Sequence, residues 1–116
     1  MAYETIIYEK VEDRIFRLTL NRPEKLNALS QKLLGELDSA MGEYESNPEA
    51  SVLIIRGAGR AFSAGYDLQG TQQPGSGFTV INDRMGLHKT IERWQRLWSI
   101  NKPTIAQVHG YCLAGG

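Results

Sequence analysis

The fold is decided by the stretch SVLIIRGAGRAFSAGYD, residues 51–67. Residues 51–56 form a short β-branched run without polar alternation, which is typical of a strand that helices cover on both faces, as in a parallel sheet. Residues 57–67 follow directly and are rich in glycine and alanine. Ligands of open α/β sheets bind just beyond the carboxyl ends of the strands. Residues 57–67 are therefore a candidate binding loop, with a plain glycine-rich turn as the alternative.

Elements on both sides of this stretch complete an α/β plan. Residues 5–20 predict a β-hairpin, and Ser30 is a candidate N-cap for a helix that ends near Asn47 and Pro48. A second helix is predicted from one apolar face that includes Trp94 and Trp98, which suits core packing, an acyl pocket or a subunit contact. Residues 104–108 predict another strand. The order favours at least two parallel strands joined by right-handed crossovers.

A second small-residue segment, residues 109–116, follows the last predicted strand. We expect its small residues to open a helix, where backbone N–H groups are unpaired and carry partial positive charge. Two loops of this kind, each after a parallel strand, could each donate one N–H to a single carbonyl oxygen. Residues 57–67 lack the motifs of three other functional loops. Phe62 replaces the third glycine of a dinucleotide-binding fingerprint, and Ala61 replaces the first glycine of a nucleophile elbow. The Gly-Lys-Ser/Thr ending of a phosphate-binding P-loop is also missing.

Composition narrows the function further. The chain has 116 residues, 13 basic and 13 acidic side chains and a formal net charge of zero, so it lacks the basic footprint of a nucleic-acid-binding protein. No apolar run approaches the roughly 20 residues that span a bilayer. Cys112 is the single cysteine, which excludes an internal disulfide and a cysteine-based tetrahedral metal site. We expect no metal and a cytoplasmic location.

Three motifs resemble successive signatures of one known family. They are NRPEKLNAL at residues 21–29, AFSAGYDL at residues 61–68 and KPTIAQVHGYCLAGG at residues 102–116. Together they resemble the crotonase (enoyl-CoA hydratase/isomerase) superfamily over nearly the whole chain. The resemblance implies an α/β fold of the ββα-spiral type, assembled as a trimer or a dimer of trimers. It also implies an acyl-CoA thioester substrate and no cofactor beyond the coenzyme A of that substrate.

The resemblance also assigns roles to individual residues. The backbone N–H groups of Tyr66 and Gly115 would stabilise the enolate-like oxyanion of the thioester. Donors of this kind are typically worth about 3–4 kcal/mol of barrier each. The remaining substrate-binding positions would be Lys25 and Leu26 at the CoA entrance, Ala28 beside them, Ala64 near the adenine, and Asp67 and Leu68 flanking the thioester.

The sequence departs from the family pattern in two ways. Ala114 replaces the first glycine of the usual triplet, and the two glutamates that hydratases use would lie beyond residue 116. We therefore expect residues 1–116 to be the N-terminal portion of a single crotonase-like domain, truncated after the second oxyanion-hole loop and inactive alone. The leading hypothesis is hydration of a trans-2-enoyl-CoA. Alternatives are isomerisation, thioester hydrolysis or decarboxylation, a non-catalytic acyl-CoA-binding protein, and an unrelated nucleotide-binding domain.

Overall fold

The structure, a computed structural model, describes residues 2–67 and 80–116. The main sheet has four strands, and a smaller sheet has two. The elements in chain order are β1 (Ile6–Glu12), β2 (Ile15–Leu20), a short 3-10 helix (Pro23–Lys25), α1 (Gln31–Ser46), β3 (Val52–Gly57), β4 (Ala61–Ser63), α2 (Val80–Ser99), β5 (Thr104–Gln107) and β6 (Tyr111–Cys112).

The main sheet has the order β1-β2-β3-β5. β1 and β2 form the predicted antiparallel hairpin, and β2–β3 and β3–β5 are parallel pairs. The register places Leu18 opposite Ile55, and both side chains are buried. The prediction of at least two parallel strands is confirmed.

α1 forms where the sequence predicts it. The Ser30 hydroxyl accepts a hydrogen bond from the Leu33 amide at 3.1 Å, which satisfies one of the unpaired N–H groups of the first turn. Asn47 is the C-cap. The buried side chains of α1 recur at helical spacing and pack with β2 and β3 into one core, whose α1 members are Leu33, Leu34, Leu37, Ala40, Met41 and Tyr44.

The expectation that helices cover both faces of β3 is wrong. Leu53 and Ile55 are buried on one face, whereas Ile54 on the other face is half-buried. The reason is that Leu37 of α1 and Trp94 of α2 line one cavity together with Ile55, so both helices lie on the same face of the sheet.

α2 also uses a different face from the predicted one. Trp94 and Leu97 pack against the core, whereas Trp98 is 92% exposed and Leu87 is 58% exposed. An ion pair between Arg93 and Asp38 of α1, at 3.0 Å, lies on the side of α2 that faces α1. Trp94 therefore packs as expected, and Trp98 does not join the core.

The start of β1 is fixed to α1 by polar contacts. Glu36 accepts hydrogen bonds from the backbone amides of Glu4 and Thr5 at 2.8 and 2.7 Å. Partial burial by itself would raise the pKa of Glu36, but these bonds and the Thr5 hydroxyl outweigh it and lower the pKa below its ordinary value. Burial, together with a hydrogen bond to Glu43, raises the pKa of Tyr3 to about 12.

Candidate functional site

The two glycine-rich loops lie side by side because a small sheet joins them. β4 and β6 pair in parallel, with Ala61 opposite Tyr111 and Ser63 opposite Cys112. The Leu113 amide donates to the Ser63 carbonyl at 3.0 Å, which continues the contact beyond the strands. Sequence patterns did not predict these two strands, although the predicted convergence of the loops depends on them.

Gly65 brings the first loop into contact with the second. A Cβ placed on Gly65 would lie 2.8 Å from the Leu113 carbonyl oxygen and 3.3 Å from the Gly115 nitrogen. The backbone of Gly65 also has a φ of +98°, which side chains with a Cβ rarely adopt. Only glycine has no Cβ and adopts this φ freely, so the presence of glycine at position 65 allows the two loops to approach this closely.

The direction of the Tyr66 N–H follows from the peptide that it shares with Gly65. The Gly65 carbonyl accepts a hydrogen bond from the Leu29 amide at 2.8 Å. In a trans peptide the C=O and N–H point in opposite directions, and no cis peptide bond occurs in the described residues. The Tyr66 N–H therefore points away from Leu29.

The second loop lies along the edge of residues 61–67 that is opposite Leu29. The Phe62 amide donates to the His109 carbonyl at 2.9 Å on that edge, just as Leu113 donates to Ser63. Among the residues that the structure describes, no protein acceptor bonds the amides of Tyr66 or Gly115. The arrangement leaves two N–H groups of neighbouring loops available to an external oxygen.

The first motif borders the other edge of the same loop. The Ala64 amide donates to the Leu26 carbonyl at 2.9 Å, and the Asp67 amide donates to the Leu29 carbonyl at 3.1 Å. Lys25 is exposed in the short 3-10 helix just before Leu26. The structure thus brings Lys25, Leu26, Ala28, Ala64, Tyr66 and Asp67 together, and Gly115 joins them from the second loop. Leu68 lies outside the described residues.

The carboxylate of Asp67 is engaged within the protein. It forms an ion pair with the Arg22 guanidinium at 3.1 Å, and both side chains are at most 16% exposed. The same guanidinium nitrogen donates to the Ala28 carbonyl at 2.6 Å. Arg22 therefore ties the first motif to the loop that carries Tyr66, and this contact favours a bracing role for the Asp67 side chain.

Asn27 is a buried residue whose side chain hydrogen-bonds three backbone groups, and the sequence analysis did not single it out. Its side-chain amide donates to the carbonyls of Ala58 and Ala61, both at 2.9 Å, and its oxygen accepts from the Arg22 amide at 2.8 Å. The Ser63 hydroxyl donates to the Asn27 carbonyl at 2.9 Å and accepts from the Gly65 amide at 3.2 Å, so it braces the same turn. A polar residue inside the run LNAL was the available sequence signal.

An apolar cavity of about 240 Å³ opens beside Gly115. Its wall includes Trp94 and Leu97 of α2 together with core residues and the ends of both loops, namely Leu20, Leu29, Leu37, Ile55, Phe62, Ser63, Ala106, Gly115 and Gly116. The Trp94 indole N–H donates to the Tyr66 hydroxyl at 2.7 Å. The cavity can accommodate an apolar group attached to whatever oxygen the two amides bind.

The match to a family model agrees with this arrangement. Residues 10–116 match the model for enoyl-CoA hydratase/isomerase. The chain belongs to the enoyl-CoA hydratase/isomerase family. This membership confirms the resemblance that the three motifs indicated, and the family's fold is the predicted crotonase-like α/β fold.

Individual relatives include both hydratases and isomerases. A probable enoyl-CoA hydratase of Mycobacterium tuberculosis is 36% identical over 116 residues, which is 100% of this chain and 42% of that protein. A peroxisomal Δ3,5-Δ2,4-dienoyl-CoA isomerase of Arabidopsis thaliana is 34% identical over 99% of this chain and 45% of its own length. The chain thus spans less than half the length of these family members.

A solved structure shows the same fold. The crystal structure of an enoyl-CoA hydratase/isomerase from Xanthobacter autotrophicus Py2 superimposes with a TM-score of 0.87 and 44% identity, covering 98% of this chain and 42% of that one. Within residues 2–67 and 80–116, no helix is long and apolar enough to cross a membrane. The same described residues contain no cluster of three His, Cys, Asp or Glu side chains that could hold a metal ion.

Proposed function

We propose that this family member binds an acyl-CoA thioester and stabilises its enolate oxyanion with the backbone amides of Tyr66 and Gly115. The observation that supports the proposal is the pair of neighbouring loops whose two amides lack a protein acceptor among the described residues. Preorganised amides in a site with little water stabilise developing negative charge without having to reorient, which lowers the barrier to enolate formation. Any reaction that passes through a thioester enolate would benefit.

The reaction that we propose is addition of water to a trans-2-enoyl-CoA. Polarisation of the thioester carbonyl makes the β-carbon electrophilic, and water adds there while the carbonyl oxygen takes the negative charge. This step requires a base for the water and an acid for the α-carbon. Asp67 lies nearest in sequence to Tyr66, but its carboxylate is held by Arg22. We therefore propose that the acid and base lie outside these 116 residues, in the whole protein.

Isomerisation of an enoyl-CoA is the second candidate. It uses the same oxyanion stabilisation and differs only in the groups that move protons. The similarity of the chain to an Arabidopsis thaliana isomerase, at 34% identity, supports this second candidate. Incubating the whole protein with a trans-2-enoyl-CoA and with a 3-enoyl-CoA separates the two reactions, because hydration removes the conjugated enoyl absorbance and isomerisation creates it.

The predicted CoA contacts follow from the same site. Leu26 and Ala64 are joined by a backbone hydrogen bond, so the first motif and the first loop form one continuous surface. We propose that Lys25, exposed at the edge of this surface, faces the CoA phosphates, and that Leu26, Ala28 and Ala64 border the nucleotide. We also propose a homotrimer or a hexamer for the whole protein, which light scattering of the purified protein tests directly.

Amide NMR tests the site independently of turnover. Adding a β-ketoacyl-CoA, whose thioester enolises, should shift the amide resonances of Tyr66 and Gly115 together. Adding an S-alkyl-CoA thioether, which lacks the carbonyl, should bind through its CoA part and leave both resonances in place. A β-ketoacyl-CoA that binds and moves neither resonance would overturn the proposal.

A further inference from the structure

The side chain of Tyr66 contacts the second loop, although the proposed chemistry uses only its backbone. The ring lies against Gly115: a Cβ placed on Gly115 would lie 2.8 Å from both Cδ2 and Cζ of Tyr66. An aromatic ring is rigid, so Gly115 cannot move closer to it, whereas Gly65 fixes the direct backbone contact of the same two loops one residue earlier. The Tyr66 ring therefore acts as a spacer between its own loop and the loop of Gly115.

The position of this ring is fixed from α2. The Trp94 indole N–H donates to the Tyr66 hydroxyl at 2.7 Å, and an indole N–H can only donate. Trp94 packs against the hydrophobic core, and its neighbour Arg93 is paired with Asp38 of α1. A continuous set of contacts thus connects the core to the Tyr66 hydroxyl and through the ring to Gly115.

We propose that Tyr66 is also a positioning residue, whose side chain, held by Trp94, sets the separation of the Tyr66 and Gly115 amides. This inference rests on the proposed function of those amides. Donors stabilise an oxyanion only when they lie about 2.7–3.1 Å from the position that the oxygen will occupy. A ring that rotates away from Trp94 would let the second loop shift relative to the first, and small misplacements of this kind lower the rate strongly.

The test is a double-mutant cycle measured on the whole protein with a trans-2-enoyl-CoA. Tyr66→Phe keeps the ring and removes the hydroxyl, and Trp94→Phe removes the indole N–H. Each should lower kcat about 5–10-fold with little change in KM, because the loss concerns the transition state. The double variant should lose no more than the single variants, since both remove the same hydrogen bond.

Trp98→Phe is the matched control, because Trp98 lies on the same helix and is 92% exposed. It should leave kcat unchanged. Tyr66→Ala removes the spacer itself and should lower kcat about 100-fold, as the loss of one oxyanion donor does.

The possible results separate the two proposals. If the wild-type protein turns over no enoyl-CoA and a β-ketoacyl-CoA moves neither amide resonance, the proposed function fails. If the wild-type protein is active and Tyr66→Phe keeps its kcat, the positioning role is wrong. Additive losses in the double variant, or losses confined to KM, would overturn it as well.

Discussion

Replacing Gly65 by alanine should damage both the stability of the protein and the candidate site. Gly65 has a φ of +98°, and its added Cβ would lie 2.8 Å from the Leu113 carbonyl oxygen and 3.0 Å from the Ala114 Cβ. The first obstacle is backbone, which cannot rotate aside as the end of a flexible side chain can. The two loops must therefore move apart, or Gly65 must leave its conformation.

Both responses cost free energy. Holding alanine at a positive φ costs about 1–2 kcal/mol, and forcing an extra methyl into a packed contact costs about 1–3 kcal/mol. We expect the free energy of unfolding to fall by about 2–5 kcal/mol. Separation of the loops also removes the Gly115 amide from the proposed oxyanion site, so kcat should fall about 100-fold in protein that remains folded.

The assay pairs this variant with Gly35→Ala. Gly35 lies within α1, and a Cβ placed on it would meet no atom within 4 Å outside the neighbouring helix backbone, so alanine there should stabilise the protein by about 0.5–1 kcal/mol. Urea unfolding of the whole protein, followed by tryptophan fluorescence, gives the two stabilities, and turnover of a trans-2-enoyl-CoA by the same whole protein gives kcat. If Gly65→Ala unfolds at the same urea concentration as Gly35→Ala and keeps the wild-type kcat, the reasoning about close approach is refuted.

Three further changes test the contacts around the site and the helices. Asn27→Ala leaves one buried and two part-buried backbone groups without their Asn27 partner and should lower the urea-unfolding free energy by about 2–4 kcal/mol, whereas an unchanged midpoint would show that these bonds do not hold the loop. Lys102→Met removes the hydrogen bonds that the Lys102 ammonium donates to the Tyr44 and Asn47 carbonyls at the end of α1, and it should lower the free energy of unfolding by about 1–2 kcal/mol. An unchanged thermal unfolding midpoint would show that these bonds do not stabilise the helix end. The pKa of Glu36 is lowered in the folded protein, so the carboxylate stabilises the fold above about pH 4.5, and this stabilisation is lost as the pH falls through the folded pKa. Glu36→Gln should therefore flatten the acid side of a plot of urea midpoint against pH. Parallel plots for the variant and the wild-type protein would refute this prediction.

Local sequence signals predicted the elements whose stability comes from their own pattern. Ser30 before an apolar stripe predicted the start of α1, and the structure shows its hydroxyl bonded to Leu33. The hairpin predicted over residues 5–20 contains both β1 and β2. These signals work because capping bonds and one-sided burial depend on residues within one turn or one strand.

The small β4–β6 sheet could not be predicted in this way. β4 has three residues and β6 has two, too few to show a period. Their pairing is decided by contacts across about 50 positions, such as that of Phe62 with His109. The two small-residue segments after parallel strands suggested that the loops meet, and the family resemblance named the residues, but the strands that join the loops became visible only in three dimensions.

The face of α2 illustrates a different limit. Its apolar residues are spread widely enough around the helix that two neighbouring faces are possible, one with Trp94 and Trp98 and one with Trp94 and Leu97. The second packs against the core and is partly buried. The pairing of Arg93 with Asp38 brings that side toward α1, and a charge partner 55 positions away leaves no trace in the local period.

A site made of backbone groups is recorded in the sequence indirectly, by the small residues that let two backbones meet. Two backbones can approach closely only where small residues stand, so Gly65 and Gly115 mark the meeting point of the loops. Tyr66 carries no such mark, because its amide would serve equally with any side chain attached. The contacts of its ring and hydroxyl depend on Trp94, 28 positions away on another element. A tyrosine in a loop of small residues is nevertheless costly to immobilise unless it makes compensating contacts, and this cost is the physical reason to look for a partner there.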